Sequence, residues 1–417
     1  MSRIVMAAFG SLGDLHPFIA LALELRARGY QVSFATLEYY REKLETLGFA
    51  FHPTRPDVSP DDADLAADLM DAKKGTEMLL REFLLPTLPE SYADLLAAAE
   101  NADLIVTGEV VFATPLVAEK LSKRWVSTSL APASFLSAYD PMVPPTAQWL
   151  GKLRFLGPTF HKILYSGLKL SLNSWWEPVR ELRRRENLKP SVDPVFNDKF
   201  SPFLHLALFS PALGAPQPDW HQPTVQTGFP FYDGKHDTGK MPVGLNEFLA
   251  AGDPPIIFTL GSAAVWAAGN FYEESARAAK ILNRRAVLLI GQNAPPKNLD
   301  ETIAAYDYAP FSEVFPFAAA VVHQGGIGTT SQVLRAGAPH LFMPFSHDQF
   351  DNAARCVRLG VARTITRESY SAKRAAGELN ELLADLNYKK RASEIKSVVG
   401  AENGVKSACD AIENVLN

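Results

Sequence analysis

The run VVHQGGIGTTSQVLRAGAPHLFMPFSHDQFDNA, residues 321–353, constrains this chain more than any other stretch. Its apolar start, Ala318 to Val322, stops at His323. Gly325, Gly326 and Gly328 follow, and Thr329 stands where a helix would begin. Val333 and Leu334 continue the helix to a stop at Gly337, with Pro339 beyond it, and His340 to Met343 forms a second strand. The order is strand, glycine loop, helix, strand. Glycines let backbone N–H groups approach a ligand, and a helix start adds unpaired N–H groups and a positive dipole end. The loop therefore has the form of a pyrophosphate site. Asp348, Gln349 and Asn352, able to receive hydroxyl groups, lie one connection further on.

The same logic opens the chain. Arg3 to Phe9 reads as a buried strand, Gly10 to Gly13 as a tight loop, Leu15 to Arg28 as a helix ended by Gly29, and Gln31 to Thr36 as the next strand. Repeated βα units predict doubly wound parallel sheets, whose ligands sit at the carboxyl ends of the strands. Further strands are expected at Asp103 to Thr107, Trp125 to Leu130, Phe203 to Phe209, Ile256 to Leu260 and Ala286 to Ile290, with Leu37 to Asn101 reading as helical. A chain of 417 residues with 47% hydrophobic content can build two such cores. A dinucleotide dehydrogenase is disfavoured, because GSLGDL supplies only Gly10 and Gly13 and no acid follows the second strand near Thr36.

Charge and cysteine usage narrow the class. A formal charge of -5 without a dense Lys/Arg tract argues against a nucleic-acid partner. Cys356 and Cys409 are the only cysteines, which suits a reducing compartment. The apolar run Ile4 to Phe9 is too short for a signal segment, and no apolar stretch reaches membrane-spanning length, so a cytoplasmic location is expected. Asp62 and Asp64 form an Asp-x-Asp, but after Ser59-Pro60 they read as a helix start rather than a metal site.

The order His323, Gly325-Gly326-x-Gly328-Thr329, Ala336-Gly337-x-Pro339, Asp348-Gln349, Asn352 resembles the donor-binding signature of the glycosyltransferase family 1, UDP-glycosyltransferase-like superfamily. Within it the chain is most similar to bacterial rhamnolipid-type and flavonoid-modifying rhamnosyltransferases, to which PDW at Pro218 to Trp220 and TGFPFYD at Thr227 to Asp233 also point. The resemblance implies a GT-B fold of two Rossmann-like domains facing across a cleft. It divides the chain into an acceptor-binding domain, 1–215, a linker, 216–240, a donor-binding domain, 241–387, and C-terminal helices, 388–417, that cross back to the first domain.

The resemblance also assigns roles. In Gly10-Ser11-Leu12-Gly13-Asp14-Leu15-His16-Pro17 the catalytic base falls on Asp14, with His16 and Glu109 as possible accessories. An N-cap on the following helix is the structural alternative for Asp14. Donor contacts fall on Gly13, Ser262, Tyr308, Ala309, His323, Gln324, Gly325, Gly326, Gly328, Thr329, Gln332, Asp348 and Gln349. Two positions depart from the family: Gln324 replaces a phosphate-binding His, and Gln332 replaces a Glu that accepts two ribose hydroxyls. A carboxylate suits a 2',3'-diol better than an amide does, so Gln332 favours a deoxyribose and hence dTDP over UDP. The resemblance to the rhamnosyltransferases implies dTDP-L-rhamnose as the donor.

The aromatic stretch Ala131 to Asn197 suits a hydrophobic acceptor, a flavonoid or other phenol, a hydroxy lipid or a polyketide, with Phe135, Tyr139, Trp149 and Trp175 as candidate contacts. Trp149 to Leu172 carries Lys152, Arg154, Lys162 and Lys169 without an acid. Helices packed over the acceptor cleft are the preferred reading of that pattern; peripheral contact with an anionic membrane is the other. The expected activity is an inverting transfer needing no metal or other cofactor. The alternatives are a UDP-glucose-dependent glucosyltransferase, a noncatalytic nucleotide-sugar-binding partner and an epimerase.

Overall fold

Two all-parallel sheets, each covered by helices, organise the chain. The computed structural model describes residues 2–190, 193–234 and 241–416; the end of the expected linker, residues 235–240, lies outside them. The first sheet holds β1 (Arg3–Ala7), β2 (Gln31–Thr36), β3 (Ala50–Pro53), β4 (Leu104–Thr107), β5 (Arg124–Ser129), β6 (Leu204–Ala207) and β7 (Thr224–Gln226), in the order β3-β2-β1-β4-β5-β6-β7. The second holds β8 (Ile256–Thr259), β9 (Ala286–Leu289), β10 (Ile303–Tyr306), β11 (Ala320–His323), β12 (His340–Phe342) and β13 (Ala362–Thr364), in the order β10-β9-β8-β11-β12-β13. This is the GT-B arrangement.

The central strands are continuous apolar runs because helices cover both faces: LIVT in β4, IIFT in β8 and AVLL in β9 are buried throughout. Both sheets reverse their direction of winding once, between β1 and β4 and between β8 and β11. A crevice opens at the carboxyl ends of strands at such a point. The residues after β1 and β4 are Gly10 to Asp14 and Glu109. Those after β8 and β11 are Gly261-Ser262 and Gln324 to Thr329.

The helices that matter here are α1 (Leu12–Ala27), α2 (Gly157–Leu172), α3 (Ile327–Ala336), α4 (Gln349–Arg358), α5 (Leu386–Ala401) and α6 (Gly404–Leu416). α1 starts three residues before the sequence-predicted Leu15 because Ser11 caps it: the Ser11 Oγ accepts from the Gly13 N–H at 3.2 Å while Asp14 Oδ2 accepts from the Ser11 N–H at 2.8 Å. This reciprocal pair is a capping box. α5 packs on α3 in the second domain, whereas α6 buries Ala408, Cys409 and Ile412 in the core of the first. There Arg28 bonds Asp410 at 2.7 Å and Glu413 at 2.6 Å. The segment read as wholly helical, 37–101, also contains β3.

Contacts at several places hold the domains together. Phe135, Phe209 and Trp220 of the first domain share a core with Leu334, Phe342 and Ile395 of the second. Arg355, 1% exposed on α4, bonds Asp351 at 2.6 Å and reaches Asp140 of the first domain. Met70, just past the helix Ala63–Leu69, packs in the core of the second domain, and Ser346 Oγ donates to the Asp71 carbonyl at 3.0 Å. Asp62 caps that helix, accepting from the Asp64 and Leu65 N–H groups.

Candidate active site

The two switch-point loops abut. A methyl group on Gly328 would stand 3.7 Å from the Cα of Gly13, in ordinary van der Waals contact, so the two loops meet backbone to backbone. Gly10 has φ +130°, and a Cβ there would lie 2.3 Å from Asp14 Oδ2, so the carboxylate fills the space the missing side chain leaves. Burial raises the Asp14 carboxyl from 3.8 to about 6; its bonds from Ser11 oppose the rise and the Glu109 charge adds to it. Asp14 is thus the third residue of the helix and not the N-cap that the sequence left open. Tyr40 donates to the Gly10 carbonyl at 2.9 Å, bracing the loop from below. Glu109 is paired with Lys199 at 2.5 Å and accepts from Ser134. His16 lines the cleft with its ring 5.0 Å from that of Tyr232.

On the donor side the first turn of α3 offers the N–H groups of Ile327, Gly328 and Thr329 after the extended Gly326. Two sequence expectations need correction here. His323 is the last residue of β11, and strand alternation turns it into the core. It is fully buried, its Nε2 lies 3.0 Å from His340 Nδ1, and its Nδ1 accepts from the Gly325 N–H at 3.1 Å. Burial lowers its pKa to about 3. His323 is therefore a neutral prop for the loop that does not reach the phosphate side, and the Gly325 N–H is already committed to it. Ala309 is likewise buried among core residues rather than lining the cleft.

Gln324 takes the place beside the helix start. Its Nε2 would stand 2.4 Å from a Cβ on Gly261 and 3.0 Å from one on Gly326, so the amide lies between two glycine backbones. Its Oε1 is buried without a hydrogen-bond partner, and so is the Oε1 of Gln332, which lines the cleft. Ser262, Gly328, Thr329 and Tyr308 line the same cleft, Tyr308 with 46% of its surface exposed.

Asp348 closes the ring. Burial, with the nearby Asp14 charge adding to it, raises its carboxyl from 3.8 to about 7 against the pull of a bond from Asn352. Asn352 Nδ2 donates both to Asp348 Oδ2 at 2.7 Å and to the Gly325 carbonyl at 3.0 Å, tying the acid to the phosphate loop. The Asp348 side chain makes no capping bond to α4. Gln349 Oε1 accepts from the Phe345 and Ser346 N–H groups at 2.8 and 3.3 Å, folding the loop. Its Nε2 faces the Met70 sulfur at 3.7 Å.

The cleft beside these groups, lined by Ser11 to Gly13, His16, Ser262, Tyr308, Gly328, Thr329 and Gln332, measures about 380 Å³; Asp14, Gln324, Asp348 and Gln349 are not among its lining residues. Its aromatic lining comes from Tyr39, Tyr40, Phe229, Phe231, Tyr232, Trp266 and Phe311, which sequence reasoning did not select. Of the four expected acceptor contacts, none lines it. Phe135 is stacked on Trp220 with centroids 3.9 Å apart and holds the domain interface. Tyr139 lies beneath the Lys162 ammonium, Trp149 is 61% exposed, and Trp175 stacks against the Arg81 guanidinium. Asp62 caps its helix and Asp64 stands in the first turn; neither lines the cleft, although Pro60 and Asp61 before them do, and among the described residues no group of three or more His, Cys, Asp or Glu is placed to hold a metal ion.

Comparison with known proteins agrees with this geometry. Residues 4–123 match the glycosyltransferase family 28 N-terminal domain, and residues 284–406 match the erythromycin biosynthesis protein CIII-like C-terminal domain. The chain is 31% identical to O-mycaminosyltylonolide 6-deoxyallosyltransferase of Streptomyces fradiae, covering 99% of this chain and 97% of that protein. It is 27% identical to sterol 3-beta-glucosyltransferase of Saccharomyces cerevisiae, covering 99% of this chain but 35% of that longer protein. Among solved structures, the glycosyltransferase of kitacinnamycin superposes with a TM-score of 0.75 at 21% identity, over 100% of this chain and 99% of that one. Glycosyltransferase VinC in complex with dTDP superposes at 0.72 with 20% identity, over 99% of each chain. The chain belongs to the UDP-glycosyltransferase-like family, glycosyltransferase family 1, of GT-B fold. It is a glycosyltransferase that binds a nucleotide-sugar donor.

Proposed function

We propose that this glycosyltransferase moves a 6-deoxyhexose, L-rhamnose in the first instance, from its dTDP conjugate to a hydroxyl of a large apolar small molecule, with inversion and without a metal. The observation that carries the donor reading is Gln332 at the cleft wall, its Oε1 buried and unmatched. One amide oxygen suits the single 3'-hydroxyl of a 2'-deoxyribose, whereas a ribose presents two adjacent donors that a carboxylate would serve better. The Streptomyces relative, named for transfer of a 6-deoxyallosyl group to O-mycaminosyltylonolide, and the dTDP bound to VinC support a deoxysugar donor and an apolar acceptor.

In this reading Asp14 is the base. Both of its bonds from Ser11 fall on Oδ2, leaving Oδ1 to take the acceptor proton. The acceptor oxygen bonds to the anomeric carbon as the bond from that carbon to the diphosphate breaks. The N–H groups at the start of α3 and the Gln324 amide stabilise the departing dTDP. From dTDP-β-L-rhamnose the product is an α-L-rhamnoside. Asp348, held by Asn352, receives a sugar hydroxyl; the expected role of Gln349 there does not hold, because its amide oxygen is taken by the Phe345 and Ser346 N–H groups and its amide nitrogen faces Met70. A carboxyl raised to about 6 is a better proton acceptor than a surface Asp and is still ionised at pH 7.

The test is turnover. Purified protein with chelator is offered dTDP-L-rhamnose or UDP-glucose together with a panel of flavonoids, hydroxy lipids and macrolides, and products are read by mass. Rhamnosides from the dTDP donor support the proposal. Glucosides from UDP-glucose alone, or sugar conversion without an added alcohol, would sink it.

A further inference from the structure

The segment 145–172 is apolar on the outside. Trp149, Phe155, Ile163 and Leu170 are 61, 79, 69 and 78% exposed, and Leu156 and Leu168 are exposed beside them. None of residues 145–156 is buried, and in α2 only His161 is. These side chains do not line the cleft. They are also not scattered: Ile163 and Leu170 stand two turns apart on one face of α2, and Phe155 and Leu156 lead into its start. A contiguous exposed apolar patch of this kind marks an interaction surface.

We propose that this face docks on an anionic lipid bilayer. Charge selects that occupant. Residues 145–172 contain Lys152, Arg154, Lys162 and Lys169 and no acid, in a chain of net charge -5. Lys162 and Lys169 repeat at the same two-turn spacing as Ile163 and Leu170 and border them. Arg154 and Lys169 are tethered inward, to Asp140 at 2.6 Å and Asp193 at 3.2 Å, while Lys152 and Lys162 remain exposed at the rim. An apolar stripe flanked by lysines is the pattern of a helix lying in the plane of a membrane interface. Lysine stems can bury there while their ammonium groups reach lipid phosphates. A second copy of the chain is a poorer fit, because a two-fold contact would set a patch that carries basic and no acidic side chains against a copy of itself. No described helix is long and apolar enough to cross a membrane, so the contact is peripheral.

The experiment is vesicle flotation of the full chain, with sedimentation velocity in parallel. Vesicles of phosphatidylcholine alone are compared with vesicles of equal parts phosphatidylcholine and phosphatidylglycerol. Wild type should float with the anionic vesicles, less so in high salt, and remain behind with the neutral ones. Phe155→Ser, Ile163→Ser and Leu170→Ser should each lower partitioning by about fivefold to tenfold. Lys152→Glu with Lys162→Glu should lower it by at least about tenfold. All these positions are exposed, so each variant should keep the wild-type thermal midpoint and turnover of a soluble acceptor. Failure of wild type to float, equal flotation with neutral vesicles, or wild-type flotation of the Ser variants overturns the proposal. So does a wild-type dimer that the Ser variants dissolve without any vesicle binding.

Discussion

Asp14→Asn tests the base and its environment together. Asn keeps the shape of the side chain and an oxygen for the Ser11 N–H, so the cap of α1 should survive. What disappears is the proton acceptor and a buried charge. Loss of a positioned general base costs about 10²- to 10⁴-fold in kcat. The effect on stability has the opposite sign. An acid whose pKa rises from 3.8 to about 6 on folding keeps its proton longer in the folded chain, so stability falls as pH rises between those values. Above pH 6 the full penalty, about 3 kcal/mol, is in place. Near 2.1 cal/mol/K of unfolding entropy per residue over 417 residues, that corresponds to about 3 °C. Asp14→Asn should therefore melt about 3 °C above wild type at pH 7.5 and show no gain below pH 4. Its binding of dTDP should not weaken. In wild type, turnover should rise with pH through a midpoint near 6, and the variant should lack that limb. Calorimetric melts and steady-state rates across pH decide the matter. Near-normal turnover in the variant, or loss of turnover together with a lowered melting point at pH 7.5, would refute the reasoning and leave Asp14 as a helix cap.

Other substitutions probe the remaining contacts. Gln332→Glu supplies a second acceptor for a ribose and should move the ratio of UDP to dTDP dissociation constants about tenfold toward UDP in titration calorimetry. Asn352→Ala strips a donor from both Asp348 and the Gly325 carbonyl. At about 1–2 kcal/mol for the lost bonds, KM for the sugar nucleotide should rise about tenfold. Arg355→Met leaves Asp140 and Asp351 without their buried partner, and thermal unfolding should register about 3–5 kcal/mol of lost stability.

What the sequence made legible follows burial. Strands covered on both faces must be apolar throughout, so β1, β4, β8, β9 and β11 stand out as runs. The four strands that sequence reading passed over, β3, β7, β10 and β13, are the four sheet edges. An edge is paired on one side and partly exposed, as the half-buried AFHP of β3 and TVQ of β7 illustrate, so three or four unremarkable residues suffice. The glycine loops were legible because close backbone approach admits little else. Ser11 was readable too, since Ser-x-x-Asp is a capping signal, yet its position before Leu12 was masked by the glycines around it. His323 and Gln324 could not be assigned without knowing which of two neighbours the strand turns inward. The aromatic middle segment misled for a related reason: Phe135 is needed to hold the domain interface. The cleft instead takes its aromatics from Tyr39, Tyr40, Tyr232 and Trp266, which come from three separate places in the chain and share no local pattern.

The central claim is that this cleft holds a deoxynucleoside diphosphate sugar between Gln332 and the start of α3. Calorimetric titration of dTDP and of UDP into the purified chain, with chelator present, tests it most directly. Tighter binding of dTDP by about fivefold or more, unaffected by the chelator, is the expected result for one hydrogen bond's difference. Preference for UDP would contradict the donor assignment, and binding of neither would contradict the reading of the glycine loop as a phosphate site.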